Sequence, residues 1–135
     1  MTLEDLQAHC AKKAGVSWDT PFGPDVLVFR VGPPSRKAPA DGSKMFALAP
    51  IGVFVTLNLK CEPERAIELR ERYAGITPGY HMNKQHWNTV DVTGSVPEKL
   101  IRELVDHSYD LVRASLPKRV REEMKWIGKG GRKSR

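Results

Sequence analysis

Residues 78–90, PGYHMNKQHWNTV, carry the densest chemistry in the chain. This stretch holds two His, a Trp, a Tyr, two Asn, a Lys and a Gln, and no acidic residue. Groups of these types serve nucleic-acid recognition. His81, Lys84 and His86, with Lys60 and Arg65 nearby in sequence, could contact phosphates, and Tyr80 and Trp87 could stack on bases. Asn83 and Asn88 carry the paired donor and acceptor that read base edges. The same residues could equally build a tightly hydrogen-bonded turn, with Asn83 bonding its own backbone and Trp87 in a core.

Other chemistries are poorly supplied. His81, His86 and Cys61 could in principle meet as metal ligands, but no CxxC, HExxH or paired carboxylate accompanies them. Cys61 with a His base could act as a nucleophile, yet a lone Cys at a strand end reads as a small buried hydrophobe. The expectation is no catalytic residue, no metal and no cofactor.

The elements that must position these groups follow from periodicity. Thr2 caps a first helix over residues 3–14, with Asp5 three positions on and Gly15 as its stop. Residues 26–31 (VLVFRV) and 44–48 (KMFAL) read as strands. Residues 52–60 (GVFVTLNLK) alternate: Val53, Val55, Leu57 and Leu59 share one face, and Phe54, Thr56, Asn58 and Lys60 the other. Trp18 and Phe22 are expected to plug the sheet edge. Pro63 starts a short helix through Ala66, Ile67, Leu69, Arg70 and Tyr73 that ends near Gly75, and residues 86–92 form a strand. Ser95 and Glu98 predict a capping box. The strongest helix follows, with Leu104, Val105, Leu111 and Val112 expected in one core with Leu57 and Leu59. His9 and His107 read as helix-surface residues. Val120, Met124 and Ile127 mark one more short helix, on which Trp126 docks. No βαβ alternation occurs, so the fold class is α+β: a two-layer sandwich with helices on one face of an antiparallel sheet.

The chain has 135 residues, which predicts one domain over residues 1–127 and a disordered basic tail over 128–135. Residues 33–43, Pro-rich and polar, are expected to be mobile as well. Residues 1–117 carry 14 Lys/Arg and 14 Asp/Glu; residues 118–135 carry 8 Lys/Arg and 2 Glu. The net charge of +6 therefore sits wholly in the C-terminal arm. The N-terminus has no apolar h-region, no 18-residue apolar run exists, and the two cysteines form no framework. A cytoplasmic monomer without membrane contact is expected.

The segments PFGPDVLVFRV, KMFAL, LNLKCEPERAIELRERYAGITPGYHMNKQHWNTV, GSVPEKLIRELVDHSYDLV and ASLPK closely resemble the MmcQ/YjbR family of small bacterial proteins, over about residues 1–120. The resemblance implies a fold similar to the frataxin homologue CyaY. It also implies DNA binding, the label the family carries through a double-wing description, and no catalytic residues. Two departures stand out: the long VGPPSRKAPADGS connection, and a basic tail beyond Lys118.

The expected partner is DNA, bound non-enzymatically through Lys60, Arg65, Tyr80, His81, Asn83, Lys84, His86 and Trp87, with Arg132, Lys133 and Arg135 of the arm adding affinity. The alternative is a small-ligand or protein-binding module. It would use an open sheet face bearing Phe54, Thr56, Asn58 and Lys60.

Overall fold

Thr2 closes the first turn of α1 (Leu3–Ala11) with a capping box. Its Oγ1 accepts from the Asp5 amide, and the Asp5 carboxylate accepts from the Thr2 amide, both at 3.0 Å. In the computed structural model, which describes residues 1–33, 43–79, 82–122 and 124, eight further elements follow. They are β1 (Val16–Asp19), β2 (Val26–Val31), β3 (Lys44–Pro50), β4 (Thr56–Lys60), α2 (Pro63–Arg72), β5 (Ile76–Pro78), β6 (Trp87–Asp91) and α3 (Glu98–Ala114). The strands form one antiparallel sheet in the order β1-β2-β3-β4-β6-β5. The β5–β6 hairpin therefore returns beside β4 after the α2 excursion.

All three helices cover one face. Leu27, Phe29, Ala47, Ala49, Leu57, Leu59, Ile76 and Val90 meet Leu6, Cys10, Leu69, Ile101, Leu104, Val105 and Val112 in a single core. Burying each of the larger of these side chains stabilises the fold by about 1.5–3 kcal/mol. Trp18, Phe29, Phe46 and Tyr109 form a chain of tilted and edge-on ring contacts across the sheet.

The sheet is not regular. Register between β2 and β3 shifts after Phe29, so Phe29 pairs with Ala47 and Arg30 with Met45, leaving Phe46 as a bulged residue. Ser108 of α3 closes the gap this opens between β3 and β4. Its fully buried Oγ accepts from the Lys60 amide at 2.9 Å and donates to the Phe46 carbonyl at 2.5 Å. Beyond α3, residues 118–122 are helical, and Leu116, Val120 and Met124 are buried. Gly15 makes this packing possible. Its φ is +73°, and a Cβ there would stand 2.7 Å from the Met124 Cε.

Several expectations need correction. Helix α1 ends at Ala11 with Lys12 as its C-cap, because the chain must turn at Gly15 into β1, a strand that sequence periodicity does not reveal. β4 begins only at Thr56. Val53 and Val55 are 71% and 42% exposed, since Gly52 starts a hairpin tip that outruns the helix layer. Phe54 packs against the core instead of the other face. That second face is not laid open: Val28 is fully buried and Asn58 is 6% exposed, bonded to Thr89 and to the Leu48 carbonyl. Phe22 is 69% exposed and plugs nothing, whereas Trp18 does pack on Phe29. Ser95 donates to Asp91 at 2.5 Å and so does not cap α3, whose N-cap is Pro97 without a side-chain bond. Leu111 is half-buried. His9 is held by Asp106 at 2.7 Å, and His107 Nε2 accepts from the Glu62 amide at 3.2 Å, so neither is a free surface group. Of the segment expected to be mobile, residues 34–42 lie outside the described residues, as do the tail over 128–135 and Trp126 and Ile127 of the expected short helix.

Candidate nucleic-acid interface

Asn83 folds the chain into the turn that presents Lys84 and Gln85. Its side-chain carbonyl accepts from the Gln85 amide at 2.9 Å, and its backbone carbonyl accepts from the His86 and Trp87 amides at 3.2 and 2.9 Å. Asn83, Lys84 and Gln85 point into solvent. A second lock comes from α2. Arg70 donates through Nε to the Asn88 side chain at 2.7 Å and through Nη2 to the Lys84 carbonyl. Asn88 also donates to the Ala66 carbonyl at 3.4 Å, so it ties β6 to α2. The turn is thus fixed from inside by Arg70 and from within by Asn83.

β4 brings the remaining groups to the same end of the sheet. Lys60 stands opposite Trp87 across β4 and β6, and the Cys61 amide donates to the His86 carbonyl at 2.7 Å. Trp87 is 9% exposed and Asn88 is buried, so these two serve packing. Arg65 sits in the first turn of α2, where the Glu62 carboxylate accepts from the Glu64 and Arg65 amides. Lys60, Arg65 and Lys84 make no ion pair among the described residues. His86 is half-buried beside them. Tyr80, His81, Arg132, Lys133 and Arg135 lie outside the described residues.

The reactive groups nearby are engaged or muted. Burial pushes the Cys61 thiol up, against the opposing charge of Arg65. Burial, then the Arg65 charge, holds His107 below its ordinary value. Cys10 is pushed up to about 12 by burial. Among the described residues, no three His, Cys, Asp or Glu side chains gather as metal ligands would. No helix among them is long and apolar enough to cross a membrane.

Two determinants carry no mark in the sequence. Arg70 reads there as an ordinary helix residue, and only the return of the β5–β6 hairpin beside α2 places it over the Lys84 turn. Lys44, at the start of β3, comes to the same end of the sheet and donates to the Ser115 hydroxyl at 3.4 Å. The sign of its charge is visible in the sequence, but its neighbours are not.

Cations gather at one end of the strands, with carboxylates among them: Asp106 pairs with Lys13 at 2.5 Å, and Glu62 and Glu64 start α2. One end of the sheet gathers Lys12, Lys13, Lys44, Lys60, Lys84, Lys118, Arg119 and Arg121 at element junctions. At the opposite end, the connections over residues 19–25, 50–55 and 91–97 hold Asp19, Asp25 and Asp91 and no Lys or Arg, but the Met1 ammonium donates to the Val92 carbonyl there, and Arg72 and Lys99 stand at the helix ends beside them.

A family model described as YjbR matches residues 11–111. The uncharacterised Escherichia coli O157:H7 protein YbdF is 36% identical over 100 residues, covering 73% of this chain and 74% of its own. The uncharacterised Bacillus subtilis protein YyaQ is 32% identical over 128 residues, covering 84% and 99%. Among solved structures, a Deinococcus radiodurans protein, DR2400, described as a DUF419 domain, superposes with a TM-score of 0.82 at 38% identity, covering 92% of this chain and 88% of its own. A Pseudomonas syringae protein superposes with a TM-score of 0.63 at 33% identity, covering 83% and 99%.

Proposed function

This chain belongs to the YjbR family, and from that premise we propose that it is a non-enzymatic nucleic-acid-binding protein that grips DNA with the basic end of its sheet. One observation carries the reading: among the described residues, Lys60, Arg65 and Lys84 stand without ion pairs around a turn that Arg70 and Asn83 lock in place. Cations without carboxylate partners release phosphate's counterions on binding, which drives association. A locked turn adds little ordering cost on contact. Asn83 and Gln85 are the exposed amides able to discriminate bases, and Trp87 supports the turn from below. The arm, with Lys125, Lys129, Arg132, Lys133 and Arg135, adds affinity without sequence preference.

Fluorescence anisotropy with labelled duplex and single-stranded oligonucleotides tests this. Lys60→Ala with Lys84→Ala should weaken binding and flatten the salt slope by about 0.9 for each phosphate that is no longer neutralised. Asn83→Ala should narrow the spread of affinities between sequences. Full-length protein that binds no oligonucleotide at low salt would end the proposal.

A further inference from the structure

Two of the candidate phosphate contacts, Lys60 and Arg65, flank the junction between β4 and α2. Lys60 ends β4, Glu62 is the N-cap of α2, and Arg65 stands in its first turn. Lys60 lies one residue beyond the β3–β4 pairing, whose last partners are Ala47 and Leu59. Past that point the junction's amides are held by residues far along the chain. The Lys60 amide donates to the Ser108 hydroxyl at 2.9 Å, the Cys61 amide to the His86 carbonyl at 2.7 Å, and the Glu62 amide to His107 Nε2 at 3.2 Å. His107 and Ser108 are neighbours on α3, so one turn of that helix grips the junction on both sides of Cys61.

The grip passes on to the cations. Ser108 is fully buried and donates its own proton to the Phe46 carbonyl at 2.5 Å, which leaves its oxygen as the acceptor for Lys60. Glu62, tied by its amide to His107, uses its carboxylate to accept from the Glu64 and Arg65 amides at 2.8 and 3.3 Å. Ser108 thus fixes the backbone of Lys60, and His107 fixes the residue that caps Arg65. Burial, then the Arg65 charge, favours the neutral ring of His107, the form whose Nε2 accepts.

We propose that His107 and Ser108 are positioning residues of the nucleic-acid site: by holding the Glu62 and Lys60 amides they set the separation from which Arg65 and Lys60 reach neighbouring phosphates. Neither of the two touches the nucleic acid. A separation fixed beforehand spares the cost of ordering the junction on contact. The inference rests on the nucleic-acid reading above and adds α3 to it as the element that controls the site.

Fluorescence anisotropy with labelled duplex oligonucleotides at low salt tests it on the full chain, with circular dichroism to establish that each variant is folded. His107→Leu removes the acceptor and should weaken binding at least about threefold, as should Ser108→Ala. His107→Gln keeps an acceptor in its side-chain carbonyl and should retain most of the wild-type affinity. His107 is half-buried, so its two variants carry the test if Ser108→Ala does not fold. A double-mutant cycle separates positioning from general damage: with Lys60→Ala and Arg65→Ala already present, His107→Leu and Ser108→Ala should cost no further affinity. Wild-type protein that binds no oligonucleotide sinks the nucleic-acid reading and this inference with it. Wild-type protein that binds, and is weakened by Lys60→Ala with Arg65→Ala but not by His107→Leu or Ser108→Ala, overturns this inference alone. So does a loss that persists in full when both cations are absent.

Discussion

Cys10 and Cys61 show how the fold silences groups that the sequence offers as reactive. Both thiols are buried, and burial pushes Cys10 up to about 12 and Cys61 in the same direction. A thiol rather than a thiolate is held at each site, so alkylation should be slow at pH 8. Mass spectrometry after iodoacetamide treatment should find both unmodified in native protein and both labelled in denaturant. His107 carries the pH dependence. Its neutral Nε2 accepts from the Glu62 amide, and burial, then Arg65, lowers its pKa from 6.5. The unfolded chain therefore binds a proton that the native state refuses, and stability falls as pH drops below about 6.5. The loss is complete once pH passes below the native value. Thermal melts between pH 7 and 5 should show this decline, and His107→Gln should flatten it. Asp5, Asp91, Glu98 and Asp106 act in a separate window. Hydrogen bonds from Thr2, from Ser95 and from Arg102 lower the first three; burial raises Asp106, but Lys13 and His9 outweigh it. Their contribution is lost only as pH falls through the native values, below about 4.

At the scale of elements, two side chains join secondary structures that backbone bonds do not. Ser108 completes the β3–β4 seam where the bulge at Phe46 interrupts it. Ser108→Ala strands a buried donor and acceptor, and urea melts should report a loss of about 1–3 kcal/mol. Arg70 joins α2 to β6 and to the Lys84 turn. Arg70→Ala should lower stability by about 1–3 kcal/mol, because Asn88 loses a charge-assisted partner. The same variant should speed amide exchange over residues 83–87 while leaving β2 and β3 protected. Uniform acceleration across the sheet would show that Arg70 does not act locally.

Over the whole molecule, the segment after α3 belongs to the core. Leu116, Val120 and Met124 are buried, and Met124 fills the space that Gly15 leaves. A stop after Pro117 should therefore lower the melting midpoint by many degrees. A stop after Met124 keeps these three buried side chains and should lower the midpoint by less. If both truncations melt alike, the segment is not part of the core. The same packing brings Lys118, Arg119 and Arg121 to the basic end with Lys60 and Lys84.

The sequence by itself determined the fold class, most of the elements and the family. β2, α2, β6 and α3 follow from runs long or periodic enough that local preference and burial agree. It failed where local pattern and tertiary context part. β1 is four residues of mixed type, and β5 is three, too short to carry a period. Residues 53–55 alternate like a strand, but the hairpin turns before the helices can cover them. Ser95 and Glu98 have the spacing of a capping box, yet Asp91 binds Ser95 first. The candidate site divides the same way. Lys60, Lys84 and Asn83 were legible because a charge or an Asx turn is a property of a short segment. Arg70 over the turn, Ser108 in the seam and the meeting of Lys44, Lys60 and Lys84 at one end of the sheet were decided only by tertiary structure. Each depends on which segments antiparallel pairing brings side by side, and residues far apart in sequence carry no local mark of that meeting.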